Sequence, residues 1–77
     1  MTIQEMAKKI AEAEKKHDVF VYFKYDCYIQ CYVFMMQTAK HTLTRNVPVT
    51  EIVTWTTDIL TDYLDEMAHD LEIGVKA

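Results

Sequence analysis

The sequence predicts a small α+β domain with an N-terminal helix, a two- or three-stranded antiparallel sheet and a long C-terminal helix. Apolar residues recur every three or four positions near both ends of the chain, which is typical of amphipathic helices. Between them, residues 18–36 are dense in aromatic and β-branched side chains, which favour strands. With 77 residues, 51% of them hydrophobic, the chain can build one core, so residues 1–77 form a single domain.

The first helix is predicted over residues 2–17. Ile3, Met6, Ile10 and Ala13 follow helical spacing and therefore share one narrow apolar face. The lysines of this segment alternate with glutamates three or four positions away, so their charges are offset along the helix surface. We expect a solvated face of mixed charge.

Two strands are predicted over residues 18–25 and 28–36, joined by a tight turn at Asp26 and Cys27. A third, edge strand is predicted at residues 38–45. Because side chains alternate along a strand, the first two strands would form two apolar faces. One is expected to carry Val19, Val21, Phe23, Ile29, Cys31, Val33 and Met35. The other is expected to carry Phe20, Tyr22, Tyr28, Tyr32 and Phe34.

Two helices cannot easily cover both faces of so small a sheet. We therefore predict that the face with Phe20, Tyr22, Tyr28, Tyr32 and Phe34 is an oligomer interface, and that the chain forms a homo-oligomer, most simply a dimer. The alternative within the α+β fold is that one helix covers each face.

A helical interpretation of the middle segment is also open. Asp26, Gln30, Gln37 and His41 lie near one helical stripe, which would make residues 20–43 the middle helix of an all-α three-helix bundle.

The C-terminal helix is predicted over residues 50–72. Pro48 lacks an N–H group and interrupts the preceding pattern, and Thr50 is suited to cap the helix start. Gly74 is predicted to end the helix.

The polar side of this last helix is strongly acidic. Residues 46–77 hold seven acidic residues and one lysine, although the whole chain has a net charge of only -4. Helical spacing places most of these acids on one stripe, close to the only tryptophan. We predict a partner-binding surface made of Glu51, Trp55, Asp58, Asp62, Asp65, Glu66 and Glu72. The alternative is that the acids only keep the domain in solution and that Trp55 folds back onto the core edge.

The sequence contains none of the common catalytic or nucleotide-binding motifs. No glycine-rich phosphate loop, nucleophile elbow or His-Glu-x-x-His pattern occurs, so we do not expect an enzyme or a cofactor. Cys27 and Cys31 are spaced C-x3-C, unlike common zinc sites, so no metal is expected. Free thiols are typical of a reducing compartment, and no apolar run is long enough for a transmembrane helix. We therefore expect a cytoplasmic protein.

These features favour a domain that works by binding another protein. In size, acidity and lack of catalytic motifs the chain is similar to small phage- or mobile-element-encoded inhibitors, including DNA-mimic and anti-CRISPR proteins; the similarity is one of composition and assigns a role to no residue. We expect the acidic helix to meet a basic surface of a partner, such as one that normally holds nucleic acid. The alternative is a homo-oligomeric structural or accessory subunit. A third hypothesis is a nucleic-acid binder that uses Lys8, Lys9, Lys15 and Lys16, which the net negative charge disfavours.

Overall fold

The computed structural model describes the backbone of residues 1–76 and the side chains of residues 1–72. Its elements are α1 (Ile3–His17), β1 (Phe20–Asp26), β2 (Cys31–Gln37), β3 (Thr42–Pro48), α2 (Val49–Ile52) and α3 (Thr57–Lys76). The predicted α+β class is confirmed, and the three-helix alternative is wrong. None of the described helices is both long and apolar enough to span a bilayer.

Local sequence signals define both ends of α1. Thr2 caps its start, accepting a hydrogen bond at 3.1 Å from the backbone N–H of Glu5, while the Glu5 carboxylate accepts one from the backbone of Thr2. The helix ends at Asp18, which adopts a left-handed conformation with φ 53°. Aspartate tolerates this conformation because its short side chain can bond locally.

The three strands form an antiparallel sheet in the order β1-β2-β3, so β1 and β3 are both edge strands. Glu14 protects the edge of β1, since its carboxylate accepts a hydrogen bond at 2.9 Å from the backbone N–H of Val21. A carboxylate at that position occupies a donor that an added strand would need.

The connection between β1 and β2 is longer than the predicted two-residue turn. It comprises residues 27–30, and the Asp26 carboxylate accepts a hydrogen bond at 3.0 Å from the Tyr28 N–H. Gln30 completes the turn with φ 52°. Tyr28 therefore lies in the turn, where it is 95% exposed, and not in a strand.

The antiparallel pairing of β1 with β2 sets which residues share a face. Phe23 pairs with Phe34 and Tyr25 with Tyr32, so odd-numbered residues of β1 face the same side as even-numbered residues of β2. The predicted grouping of Tyr32 and Phe34 with Phe20 and Tyr22 is wrong for this reason: paired residues of adjacent strands point to the same face.

Both long helices lie on the same face of the sheet. α1 contacts β1, α3 contacts β2 and β3, and the two helices contact each other. The core between the layers is closed by five fully buried side chains: Phe34, Met36, Leu60, Leu64 and Met67. The alternative in which one helix covers each face is wrong, and no described element covers the other face of the sheet.

The predicted helix over residues 50–72 is interrupted. The chain leaves α2 at Val53, and α3 begins at Thr57, with the hydroxyl of Thr56 accepting a hydrogen bond at 3.3 Å from the Ile59 N–H. Residues 53–57 contain four β-branched side chains, which lower helix propensity, and threonine hydroxyls bond the backbone in competition with the helix. Thr50 is not a cap, because Pro48 precedes α2 without a side-chain cap bond. Gly74 does not end α3, which continues to Lys76.

The two faces can be separated by a pair of phenylalanine variants. Phe34→Ala removes a fully buried ring and is expected to lower the free energy of unfolding by about 3–5 kcal/mol. Phe20 lies on the uncovered face and is 56% exposed. Phe20→Ala should therefore lower the free energy of unfolding of the isolated chain by less than about 1 kcal/mol. Urea unfolding followed by circular dichroism measures both. Equal losses would contradict the assignment of the two faces.

Candidate functional site

The acidic residues of α3 divide into those that face other elements and those that face solvent. Asp65 and Asp70 face inward, and each is paired with a cation from another element. Asp58, Asp62 and Glu66 are exposed, and no described side chain forms an ion pair or hydrogen bond with their carboxylates. We refer to these three residues as the acidic face.

Asp65 links α3 to the last turn of α1. Its Oδ1 lies 2.7 Å from His17 Nε2, and its Oδ2 lies 3.1 Å from Lys16 Nζ. The hydrogen bond from His17, with a further contribution from Lys16, holds the pKa of Asp65 below its usual 3.8, against a smaller opposing effect of burial. Asp65 was predicted to bind a partner; in the structure its carboxylate joins the two helices.

Asp70 performs a similar role on the other side of α3. Its carboxylate pairs with the guanidinium of Arg45, which lies in β3 on the covered face, in register with Phe34. The pair is about one-third exposed at both ends. Arg45 is the only charged side chain among the residues of β3 that face the helices, and the Asp70 carboxylate compensates its charge. The pair holds this edge strand against α3.

The acidic face carries uncompensated repulsion. Asp58 lies in the first turn of α3, where the helix dipole favours a negative charge. Asp62 and Glu66 have no such support, and carboxylates at spacing i,i+4 repel each other by a few tenths of a kcal/mol. Folding alone therefore accounts for Asp58, Asp65 and Asp70 but not for Asp62 and Glu66.

The remaining members of the predicted partner-binding surface lie elsewhere. Glu51 is exposed on α2, which is separated from α3 by the break at residues 53–56. Glu72 is exposed further along α3. The structure thus brings together Asp58, Asp62 and Glu66, with Asp65 beside them, and does not place Glu51 on the same helix.

Trp55 packs against the protein itself. Its ring lies 5.0 Å from the ring of Tyr63, which in turn lies 5.4 Å from Phe34. Trp55 is half-buried beside the core, and burial raises the pKa of the Tyr63 phenol. This position agrees with the alternative in which the tryptophan covers the core edge.

A second surface is the uncovered side of the sheet, which we call the open face. It carries Phe20, Tyr22, Lys24 and Asp26 from β1, Cys31, Val33, Met35 and Gln37 from β2, and Thr42, Thr44, Asn46 and Pro48 from β3. Of the nine large apolar side chains that are exposed among the described residues, Phe20 and Tyr22 lie on this face, and Tyr28 and Ile29 lie in the turn at its end. Exposed apolar residues concentrated in this way mark interaction surfaces.

The predicted oligomer-interface residues are divided by the fold. Phe20 and Tyr22 lie on the open face, and Tyr28 projects from the turn at its end. Phe34 is fully buried under the helices, and Tyr32 is half-buried on the same covered side. Val33 and Met35 lie on the open face instead, because they pair with Lys24 and Tyr22 and the helices pack on the other side.

A cleft of about 530 Å³ lies between α1, the β2–β3 turn and α3. Val19, Ala68 and Leu71 line it with apolar surface, and His69 and Lys40 are among its polar residues. The sequence alone did not reveal this cleft, because its residues come from three separate segments of the chain. No three His, Cys, Asp or Glu residues in the described part of the chain are arranged to hold a metal ion.

The chain matches no family model, and no curated protein or solved structure matches it significantly. Its candidate surfaces are therefore interpreted from their geometry and chemistry.

The position of Trp55 predicts a structural role. Trp55→Ala should lower the free energy of unfolding by about 2 kcal/mol, because it removes a large ring packed at a tilt against Tyr63 and leaves part of the core edge uncovered. Val53→Ala is the control, since Val53 is 69% exposed and should contribute little. Thermal and urea unfolding measure the difference. Wild-type stability in Trp55→Ala would show that the ring is available to a partner.

The link through Asp65 predicts a pH-dependent contribution to stability. A carboxyl whose pKa is lowered by folding stabilises the native state above its unfolded pKa, and that contribution is lost as the pH falls through the lowered value. Asp65→Asn should cost up to about 1 kcal/mol near neutral pH, because the pair is partly exposed, and progressively less below about pH 4.

Asp62→Asn is the matched control, because Asp62 is exposed, lies on the same helix and has no partner among the described residues. It should be at least as stable as the wild type near neutral pH. Urea unfolding of both variants across the acid range tests this. A constant deficit for Asp65→Asn down to about pH 2 would contradict the ionic role.

Proposed function

We propose that this protein is a small binding module whose acidic face docks on a basic surface of a partner protein. The observation that carries the proposal is the division of charges on α3: Asp65 and Asp70 each have a cation, whereas Asp62 and Glu66 are exposed, lie one helical turn apart and have no ion-pair partner among the described residues. A partner with lysine or arginine side chains would relieve that repulsion on binding.

Electrostatics suits such a module because long-range attraction speeds encounter. A chain with a net charge of -4 is drawn toward a basic surface, and the attraction weakens as salt screens it. Basic protein surfaces commonly bind nucleic-acid phosphates, so the module would compete with nucleic acid for such a surface. It acts by occupying charge and area, and it needs no catalytic step or cofactor. The free thiols Cys27 and Cys31 agree with action in the cytoplasm.

Direct binding of nucleic acid has less support. Of the four α1 lysines that would serve it, Lys9 pairs with Glu12 at 3.2 Å and Lys16 pairs with Asp65 at 3.1 Å. Lys8 and Lys15 remain exposed, but two cations provide little compensation for phosphate contacts in an acidic chain.

The proposal is tested with a charge-neutral double variant, Asp62→Asn/Glu66→Gln. Wild-type protein immobilised on beads captures binding proteins from an extract of the native host cell, and each purified candidate is then measured by surface plasmon resonance over a range of salt concentrations. The double variant should keep or slightly gain stability, bind about tenfold more weakly or worse, and show a smaller salt dependence.

The control is Asp18→Asn/Glu51→Gln, which removes two negative charges from exposed residues of other elements. It should bind nearly as well as the wild type, and bound wild type should displace nucleic acid from the partner. Equal affinity of the Asp62/Glu66 variant and the wild type would show that the acidic face only aids solubility. Gel shifts of the module itself with duplex DNA, abolished when the four lysines are changed to alanine, would favour the nucleic-acid hypothesis.

A further inference from the structure

The open face differs in charge from the rest of the molecule. Among its twelve residues, Lys24 and Asp26 are the only charged ones, so the face is neutral in a chain with a net charge of -4. The acidic face lies on the opposite side, on the outside of the helix layer. A second copy can therefore approach the open face without the repulsion that it would meet at the helices.

The open face also exposes apolar surface that the fold leaves without a partner. Phe20 and Tyr22 are 56% and 45% exposed at one end of β1, and Val33 and Met35 are half-buried in the middle of the face. Their neighbours across the strands are polar: Lys24 and Asn46 lie beside Val33, and Thr44 lies beside Met35. Two sheets that meet through such faces pack about 10 Å apart.

The two edges of the sheet are less suited to binding a second copy than its open face is. At β1 the Glu14 carboxylate already accepts a hydrogen bond from the Val21 N–H, so an added strand would have to displace that carboxylate. At β3 the strand ends in Pro48, which has no N–H to donate. These features direct association toward the open face.

We propose that the open face binds the open face of a second copy of this chain, forming a two-fold symmetric dimer in which the two sheets pack face to face. Because β2 is the middle strand, a two-fold axis through the centre of the face places β2 on its counterpart. Val33 and Met35 then contact the same two residues of the other copy. The inference is independent of the proposed role of the acidic face.

The size of the face predicts a weak, reversible dimer. Three strands about 4.8 Å apart and seven residues long outline roughly 14 by 23 Å, or about 320 Å² per copy. Protruding aromatic rings raise the accessible area, yet it stays below the roughly 800 Å² per partner of a standard interface. We expect a dissociation constant in the micromolar range or weaker, as for other small, transient contacts.

The geometry keeps the acidic faces apart. The molecule measures 33 × 25 × 15 Å, and face-to-face packing of the sheets turns both helix layers outward. The two acidic faces would then be separated by roughly 30 Å, about two thicknesses of the molecule, which far exceeds the screening length of about 8 Å at physiological salt. The dimer would present two acidic faces on opposite sides.

Sedimentation equilibrium of the full chain tests the proposal, from about 1 to about 500 µM. The mass should rise with concentration from 9.1 kDa toward twice that value. Met35→Glu should raise the dissociation constant at least tenfold, because the two new carboxylates would lie close together near the two-fold axis, in a contact without water. Val53→Glu is the matched control and should dimerise as the wild type does, since Val53 lies in the exposed connection between α2 and α3.

A cross-linking experiment gives a second readout that does not depend on the stability of Met35→Glu. In a Cys27→Ser/Cys31→Ser background, Met35→Cys should be joined to its counterpart by a short bis-maleimide, whereas Val53→Cys should not. A mass of 9.1 kDa at every concentration would overturn the proposal, as would a dimer that Met35→Glu leaves intact or equal cross-linking of the two cysteine variants.

Discussion

The fold depends on the packing of two helices against one face of β2. Phe34 and Met36 are fully buried there, against the equally buried Leu60, Leu64 and Met67 of α3. A chain of 77 residues provides two long helices and three strands, which is enough to close one interface between layers. The other consequences follow from this limit: one side of the sheet stays open, and the outer side of the helices faces solvent.

Two ion pairs adjust the edges of that interface. Asp65 holds the end of α1 to α3 through His17 and Lys16, and Asp70 holds β3 to α3 through Arg45. Neither pair is deeply buried, so each adds a modest energy, and the buried Leu60, Leu64 and Met67 determine which side of α3 turns inward. Asp58, Asp62 and Glu66 remain exposed, without an ion pair to any described residue.

The molecule therefore has two surfaces of different chemistry on opposite sides. The open face is neutral and partly aromatic, which suits close contact with a similar surface and little long-range attraction. The acidic face is charged and polar, which suits attraction of a basic partner over a distance. Association through the first would leave the second accessible, so self-association and partner binding would not compete.

The local character of each segment could be read from the sequence, whereas the relations between segments could not. Helical spacing and the Thr2 cap predict α1, and aromatic and β-branched density predicts the strands, because these signals act within a few residues. The acidity of α3 is equally visible, since it is a property of composition. The open face was foreseen only in outline: the sequence shows more apolar strand surface than two helices can cover.

Tertiary structure decided which residues occupy each surface. The antiparallel pairing of β1 with β2 puts Phe34 on the side of Phe23 and Met35 on the side of Tyr22, and the packing of both long helices on the Phe34 side left Met35 on the open side. The break at residues 53–56 separated Glu51 from α3 and turned Trp55 onto Tyr63. The pairing of Asp65 and Asp70 depended on cations 49 and 25 positions away in the chain, and no spacing rule within one helix can identify such partners.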